Sequence, residues 1–412
     1  MDIKEYLISR KRETYQRDEF DRFLKKNNFK YSIPSIHIAG SNGKGSTATY
    51  LSYIYTEEGY KVGLYTSPYN TSPTEMARIN NQPMPLERYE KYLNENKKEF
   101  EKYNLSEFEI ETYIAFKYFL DEKCDISIIE CGMGGEYDAT NIFNPILSII
   151  TSISLEHTSS LGRSISEIAL HKAGIIKKDT PILIDRNLNE EALNVISETA
   201  ISLDAPIKTI ELYHFEKLME DGYHFTYGLM DDLHIKTKAQ YSIKDASFAL
   251  EAINILKSDF PVKEESIRSG LEKMYIKARF EIKRNNPLII IDGGHNPEGV
   301  ATLAKEIDRV VRGPLSIVFA CFNDKNIESM LTTLGVLSRD ITLTTFDHPR
   351  ARKEEEFFLY LDEYKFNADH QAAIKEIMQN NPENNILICG SLAFAYLVSD
   401  EFDEGIYEIP KN

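Results

Sequence analysis

The chain has 412 residues and a formal net charge of −17, with 65 Asp and Glu against 48 Lys and Arg. A charge of that size, with no basic stretch to offset it, excludes nucleic acid or an anionic membrane as a main partner, and the length exceeds what one hydrophobic core usually supports, so two domains are expected. There is no run of 18 apolar residues to span a membrane and no apolar signal core behind Met1, which predicts a soluble cytoplasmic protein, monomeric because no helical stripe marks a partner surface. Cys124, Cys131, Cys321 and Cys389 lie far apart without CxxC spacing and read as buried free thiols.

The first informative element is an apolar strand over residues 33–39, followed by Gly40-Ser41-Asn42-Gly43-Lys44-Gly45-Ser46 and a helix-forming run over 47–58. Strand, glycine loop, lysine, hydroxyl and helix in that order make a phosphate cradle, because N–H groups at a helix start carry partial positive charge and glycines let backbone approach an anion. A Walker A loop would place a glycine at Ile38, and here an extra Gly45 separates Lys44 from Ser46. The tighter loop points to an ATP-dependent amide ligase rather than a kinase or GTPase.

Strands are expected over 62–66, 126–131, 146–153 and 182–185, alternating with helices over 86–103, 107–122 and 190–202. Such alternation predicts a parallel sheet covered by helices on both faces. Residues 213–238 change to short alternating runs around a turn at 228–232, which reads as a small antiparallel addition, and helices follow over 242–258 and 264–274. A second series of strands over 288–292, 315–321, 341–346 and 386–389 predicts a separate, smaller domain. The polar stretch 283–287 is taken as the joint and as the place about which the domains close. The fold class is therefore α/β: an N-terminal P-loop-type parallel-sheet ATPase domain with the antiparallel addition (1–284) and a smaller Rossmann-like α/β domain (285–412).

Ligands of open parallel sheets sit beyond the carboxyl ends of strands. There the sequence places Ser67-Pro68, then Glu130-Cys131-Gly132-Met133-Gly134-Gly135, then Glu156-His157, with Lys172 further on. Glu130 is the natural anionic ligand for a hard cation such as Mg²⁺. His157 alone reads more readily as a hydrogen-bonded structural residue, and Lys172 as a solvated helix lysine. In the second domain Asp292-Gly293-Gly294-His295-Asn296-Pro297 again runs from strand through glycine turn to helix, with Asn296 placed to cap it, and Arg279 lies just upstream.

Taken together, H-I-A-G-S-N-G-K-G-S-T, Y-T-S-P, E-C-G-M-G-G-E-Y-D-A-T-N, H-K-A-G-I-I-K, A-R-F-E, D-G-G-H-N-P, D-K-N, P-R-A and C-G-S-L resemble, in order and over nearly the whole chain, the folylpolyglutamate synthase and dihydrofolate synthase branch of the Mur ligase superfamily. The resemblance implies that ATP is held by Asn42, Gly43, Lys44, Gly45 and Ser46 with Asp245, Arg279 and Asp292, and that magnesium, as two ions, is held by Ser67, Glu130, His157 and Lys172. In it Lys172 corresponds to a lysine carbamylated by CO₂, and Lys44, Lys172 and His295 act in catalysis. Ser106, Glu107, Phe108 and Glu109 together with Tyr137, Asp138 and Ala139 match the stretches that hold the pterin-bearing substrate. The implied reaction joins L-glutamate to a folate or to dihydropteroate through an acyl phosphate.

Two places depart from that pattern. Tyr241-Ser242-Ile243-Lys244-Asp245-Ala246 stands where the family usually has His-Gln-x-x-Asn-Ala, and Glu75-Met76-Ala77, with Arg78 after it, stands where it has Glu-Arg-Ile. These substitutions keep open a catalytically weak paralogue that binds folate or nucleotide. A cell-wall ligase acting on a UDP-sugar peptide is disfavoured by the E-C-G-M-G-G-E-Y-D-A-T-N match.

Overall fold

The computed structural model describes residues 3–10 and 17–407. Its strands are β1 (Ser35–Ala39), β2 (Val62–Tyr65), β3 (Ala77–Ile79), β4 (Gln82–Pro83), β5 (Ile126–Glu130), β6 (Leu147–Ile150), β7 (Ile182–Ile184), β8 (Ile207–Thr209), β9 (Tyr213–Leu218), β10 (Tyr223–Tyr227), β11 (Met230–Ile235), β12 (Glu281–Asn285), β13 (Leu288–Ile291), β14 (Leu315–Phe319), β15 (Ile341–Thr344), β16 (Lys365–Asn367) and β17 (Asn385–Cys389). The chain divides into two units, one of residues 1–236 and 242–274, the other of 237–241 and 275–412.

The first unit is built on an eight-stranded sheet of order β4-β3-β2-β5-β1-β6-β7-β8. The six strands from β2 to β8 are parallel, and only β3 and β4 run against their neighbours. Every residue of β1, β2, β5 and β6 is buried, as strands covered on both faces must be. One covering helix, Lys44–Glu58, is buried nearly all round and meets the helix Glu264–Lys273 at Gly270, where a Cβ would lie 2.6 Å from the Ile54 Cα. Strands β9, β10 and β11 form the expected antiparallel addition, its inward Tyr223, Phe225, Tyr227, Leu233 and Ile235 packing in one core with Ile243 and Phe248.

The second unit has a six-stranded sheet of order β12-β13-β17-β14-β15-β16, parallel except for the antiparallel edge strand β12. The polar stretch read as a joint lies inside this sheet: residues 283–285 belong to β12 and are laddered to β13, and Asn286-Pro287 is the turn between them. All four cysteines are buried and free. No helix among the described residues is long and apolar enough to cross a membrane.

Candidate active site

At the centre of the first sheet, β2, β5, β1 and β6 end side by side, and the loops leaving them carry most of the residues singled out above. The loop after β1 turns into its helix through Gly43, which adopts φ 84° at the N-cap position; a Cβ there would lie 2.5 Å from Asp245 Oδ1 as well as being strained. The next strand end holds this loop. Ser41 N–H donates to the Ser152 carbonyl (2.9 Å), Thr151 Oγ1 donates to the Asn42 carbonyl (2.6 Å), and Ser152 Oγ accepts from the Asn42 N–H (2.8 Å). With no such clamp a glycine-rich loop would pay backbone entropy to order around an anion. Lys44 folds back, its Nζ 2.8 Å from the Gly40 carbonyl oxygen and 3.3 Å from that of Ser41, and Ser46 lies in the first turn of the helix.

Glu130, the last residue of β5, is buried and accepts the Ser67 N–H at 3.1 Å. A Cβ on Gly45 would sit 3.2 Å from Glu130 Oε2, so the glycine that distinguishes this loop is where the carboxylate comes closest. Thus Gly43, Gly45, Ser67, Glu130 and Asp245 converge on one loop. A carboxylate beside a helix N-terminus and a hydroxyl-bearing residue form an oxygen-donor set suited to a hard divalent cation.

Lys172 is 1% exposed in the helix Ile165–Ala173, and its Nζ bridges the Gly40 carbonyl (2.9 Å) and Glu156 Oε1 (2.6 Å). Burial lowers the Lys172 pKa despite its partner. Burial would raise Glu156, but the Lys172 and Lys44 charges outweigh it and bring that carboxyl down to about 2. Lys172 is therefore no solvated surface lysine. Glu156, Thr151 and Ser152 are the members of this site that sequence reasoning assigned no role; their signal was position, just beyond the carboxyl end of the strand next to β1. His157 is exposed, with φ 44°, at the N-cap of the short helix Thr158–Leu161 and beside Glu156.

The glycine-rich segment after β5 is organised by Asp138. Its Oδ2 accepts the Met133 N–H (2.8 Å) and its Oδ1 accepts the Thr140 N–H (3.0 Å) and the Thr140 hydroxyl. Burial raises the Asp138 pKa against these bonds. Thr140 in turn meets the buried His37 ring (2.9 Å), and Asn141 Nδ2 donates to the Glu136 and Gly174 carbonyls, both at 3.1 Å. Ala139 is buried between these anchors, while Tyr137 is 55% exposed. The Phe108 ring lies over Gly132, whose Cβ would meet it at 2.4 Å. Ser106 and Glu109 make a capping box at the start of the helix Glu107–Asp121, each binding the other's backbone N–H, and Glu107 accepts the Tyr69 hydroxyl at 3.4 Å. Of the substrate stretch, Phe108 is the residue whose placement is not accounted for by helix capping.

Ser242 is tied to the Tyr50 hydroxyl (2.7 Å), which leaves Asp245 as the member of that departing segment set against the glycine loop. In the second unit Asp292 follows β13 and is buried; its Oδ2 accepts the Phe280 N–H (2.8 Å) and the Tyr241 hydroxyl (3.3 Å), and its Oδ1 accepts the Gly294 N–H (2.7 Å). Burial raises its pKa, while the Arg279 charge and these bonds act the other way. His295 Nδ1 lies 3.0 Å from the Gly293 carbonyl, and Asn296 caps the helix Pro297–Val310 by accepting the Gly299 N–H. Arg279, Asp292 and His295 thus gather at one strand end.

Residues 38–214 match the Mur ligase middle domain, and residues 278–392 match the Mur ligase glutamate ligase domain. A dihydrofolate synthase/folylpolyglutamate synthase of Bacillus subtilis (strain 168) is 33% identical over 388 residues, covering 89% of each chain. The chain belongs to this family of Mur ligases. A folylpolyglutamate synthase of Mycobacterium tuberculosis, solved with ADP and AMPPCP, superposes with a TM-score of 0.89 over 97% of both chains at 25% identity. A solved FPGS–AMPPCP–folate complex gives 0.82 at 27% identity, over 97% of this chain and 98% of that one. The family is one of ATP-dependent ligases that form amide bonds, and the α/β architecture of this Mur ligase, two sheets with the larger mainly parallel, is the family's own.

Proposed function

We propose that this Mur ligase joins L-glutamate to the carboxylate of a folate, of dihydropteroate, or of both, at the expense of ATP. The observation that carries the reading is the convergence of Gly43, Gly45, Lys44 and Glu130 on one loop, beside a second loop that packs Gly132 under Phe108. The first arrangement holds a triphosphate; the second offers a flat apolar surface to a pteridine. The relatives named above act on folates, and one was solved with ATP-analogue and folate together.

In this reading N–H groups of residues 42–46 and the Lys44 ammonium cradle the phosphates. Glu130, with Ser67 and His157, would hold magnesium, which supplies a positive centre for charge developing on the transferred phosphoryl group. The substrate carboxylate oxygen attacks the γ-phosphorus, releasing ADP. The glutamate amine then attacks the acyl carbon, and collapse of the tetrahedral intermediate expels phosphate and leaves the amide. The ADP-side residues of the second unit are Arg279 and Asp292, with His295 near the transferred phosphate.

Lys172 fits carbamylation chemically. Burial favours its neutral amine, whose lone pair can form an N–C bond to CO₂ as one C–O π bond opens and the N–H proton leaves. The product is anionic and would repel Glu156 at the present separation unless a cation lay between them, which is where a second magnesium ion would belong.

The test is ADP release from purified protein supplied with MgATP, L-glutamate and, separately, dihydropteroate, tetrahydrofolate or a UDP-muramoyl peptide. Turnover with either pteridine is expected. Turnover with the muramoyl peptide alone would overturn the reading, and folate binding without turnover would favour a binding paralogue.

A further inference from the structure

The antiparallel addition carries a cluster that the ligase reaction does not use. Burial alternates along β10 and over the end of β11: Tyr223, Phe225, Tyr227, Leu233 and Ile235 are buried, which leaves His224, Thr226, Asp232 and His234 on the outward face. The register sets His224 opposite His234, with ring centroids 4.6 Å apart and planes at 20°. Asp221, in the turn that joins β9 to β10, brings its carboxylate to both: Oδ1 is 3.5 Å from His224 Nε2 and Oδ2 is 3.6 Å from His234 Nε2. One donor atom from each residue lies within 4.8 Å of the others.

His224 is oriented from behind: its Nδ1 lies 2.8 Å from Asp232 Oδ1, which turns Nε2 toward the Asp221 carboxylate. That Nε2 is out of solvent and makes no hydrogen bond. His234 Nε2 reaches the Asp221 carbonyl oxygen at 3.3 Å, a weaker contact that coordination would replace. A divalent cation between Nε2 and the Asp221 carboxylate would take the place of a proton and serve both groups. Ligand atoms around a tetrahedral zinc ion with bonds near 2.0 Å are about 3.3 Å apart, somewhat less than the 3.5 and 3.6 Å from the two Asp221 oxygens to the rings, so binding would draw the three groups together. A carboxylate behind a coordinating histidine is likewise the usual second partner of such a ring. Lys217, opposite His224 on β9, is exposed.

We propose that Asp221, His224 and His234 form a binding site for a borderline divalent cation, zinc foremost, with Asp232 orienting His224 and water completing the coordination. Two imidazoles and one carboxylate do not suit magnesium, so the site is chemically separate from the one at Glu130. Bound metal would clip the β9–β10 turn to β11.

The experiment titrates the full-length protein, with magnesium in excess, with Co²⁺ read by its visible absorption and with Zn²⁺ against a chromophoric chelator. The wild type should bind one equivalent more than a His224→Gln/His234→Gln variant and show a tetrahedral cobalt band that the variant lacks; Asp232→Asn should weaken binding about 10- to 100-fold. Zinc should raise the melting temperature of the wild type and not that of the double variant. Circular dichroism and the turnover of the variant confirm that it is folded. Equal stoichiometry and equal cobalt spectra in wild type and variant would overturn the proposal, as would a wild type that binds neither metal. Because neither readout depends on the ligase reaction, failure here leaves the proposed activity untouched.

Discussion

Lys172 is held by two bonds, one to the carboxylate of Glu156 and one to the phosphate loop through the Gly40 carbonyl. Replacing it removes both, and Lys172→Ala is expected to lower kcat about 10²-fold or more, with partial recovery in short carboxylic acids that refill the cavity with an oxygen donor; unchanged kcat would exclude an essential role. The same pair makes an acid-sensitive element. Because Glu156 is held below its ordinary value of 4.5, at about 2, its stabilisation is complete above pH 4.5 and is lost as the pH falls toward 2. The loss amounts to at most about 3 kcal/mol, and denaturant unfolding should show a flatter acid limb in Glu156→Gln than in wild type. At Gly43 the demand is steric and conformational together, so Gly43→Ala should weaken MgATP binding about tenfold, measured by calorimetry.

These residues differ in how far sequence alone could reach them. The loop at 40–46 is contiguous, and its pattern carries its chemistry. Asp138 was legible as important, but its partners Met133 and Thr140 make it an organiser of the glycine segment, a fact that only the folded backbone reveals. Thr151 and Ser152 lie more than a hundred residues from the loop they touch, and Glu156 reaches it through Lys172. Their role follows from β6 lying next to β1, which no local pattern encodes.

Elements with a strong period or a cap were readable from sequence. The helix Glu190–Ser202, capped by Asn189, has the expected bounds, and the helix Glu107–Asp121 differs by one residue. Strands β3, β4 and β16 are two or three residues long and partly exposed, too short for a pattern. Residues 283–285 read as a polar joint although they end strand β12, because Glu-Ile-Lys-Arg-Asn is an edge strand with a mostly polar face, and an edge needs no apolar run. The capping box at Ser106 separates two roles within one motif. Ser106→Ala should cost about 1 kcal/mol of stability, seen in denaturant unfolding, with the KM for the pteridine unchanged. Phe108→Ala should instead raise that KM about tenfold and leave kcat nearly intact, because the loss is of stacking surface rather than of a reacting group. The opposite pattern would make the helix start the recognition element.

For the whole molecule, the charge of −17 opposes substrates that are themselves polyanions. Local devices at the loop must overcome a repulsive far field, and that field is screened by salt whereas the contacts are not. Raising ionic strength from about 0.01 to 0.1 M shortens the screening length from about 30 to 10 Å, so the association rate of ATP should rise with added salt in stopped-flow measurements, the reverse of what a basic nucleotide-binding protein shows.

The division of the chain also has a consequence in time. Residues 237–241 belong to the second unit: Ala239 is buried in its core with Phe280 and Ile290, Gln240 N–H donates to Glu306, and the Tyr241 hydroxyl donates to Asp292. The helices of 242–274 that follow belong to the first unit. During synthesis, which proceeds from the N-terminus, this pentapeptide leaves the ribosome before any strand of the sheet it will join. The first unit can finish its own core with residues 242–274 while the five residues before them wait. A fragment beginning at Tyr275 would start its folding with a vacancy at Ala239, and each new molecule must therefore complete its second half around a piece delivered early.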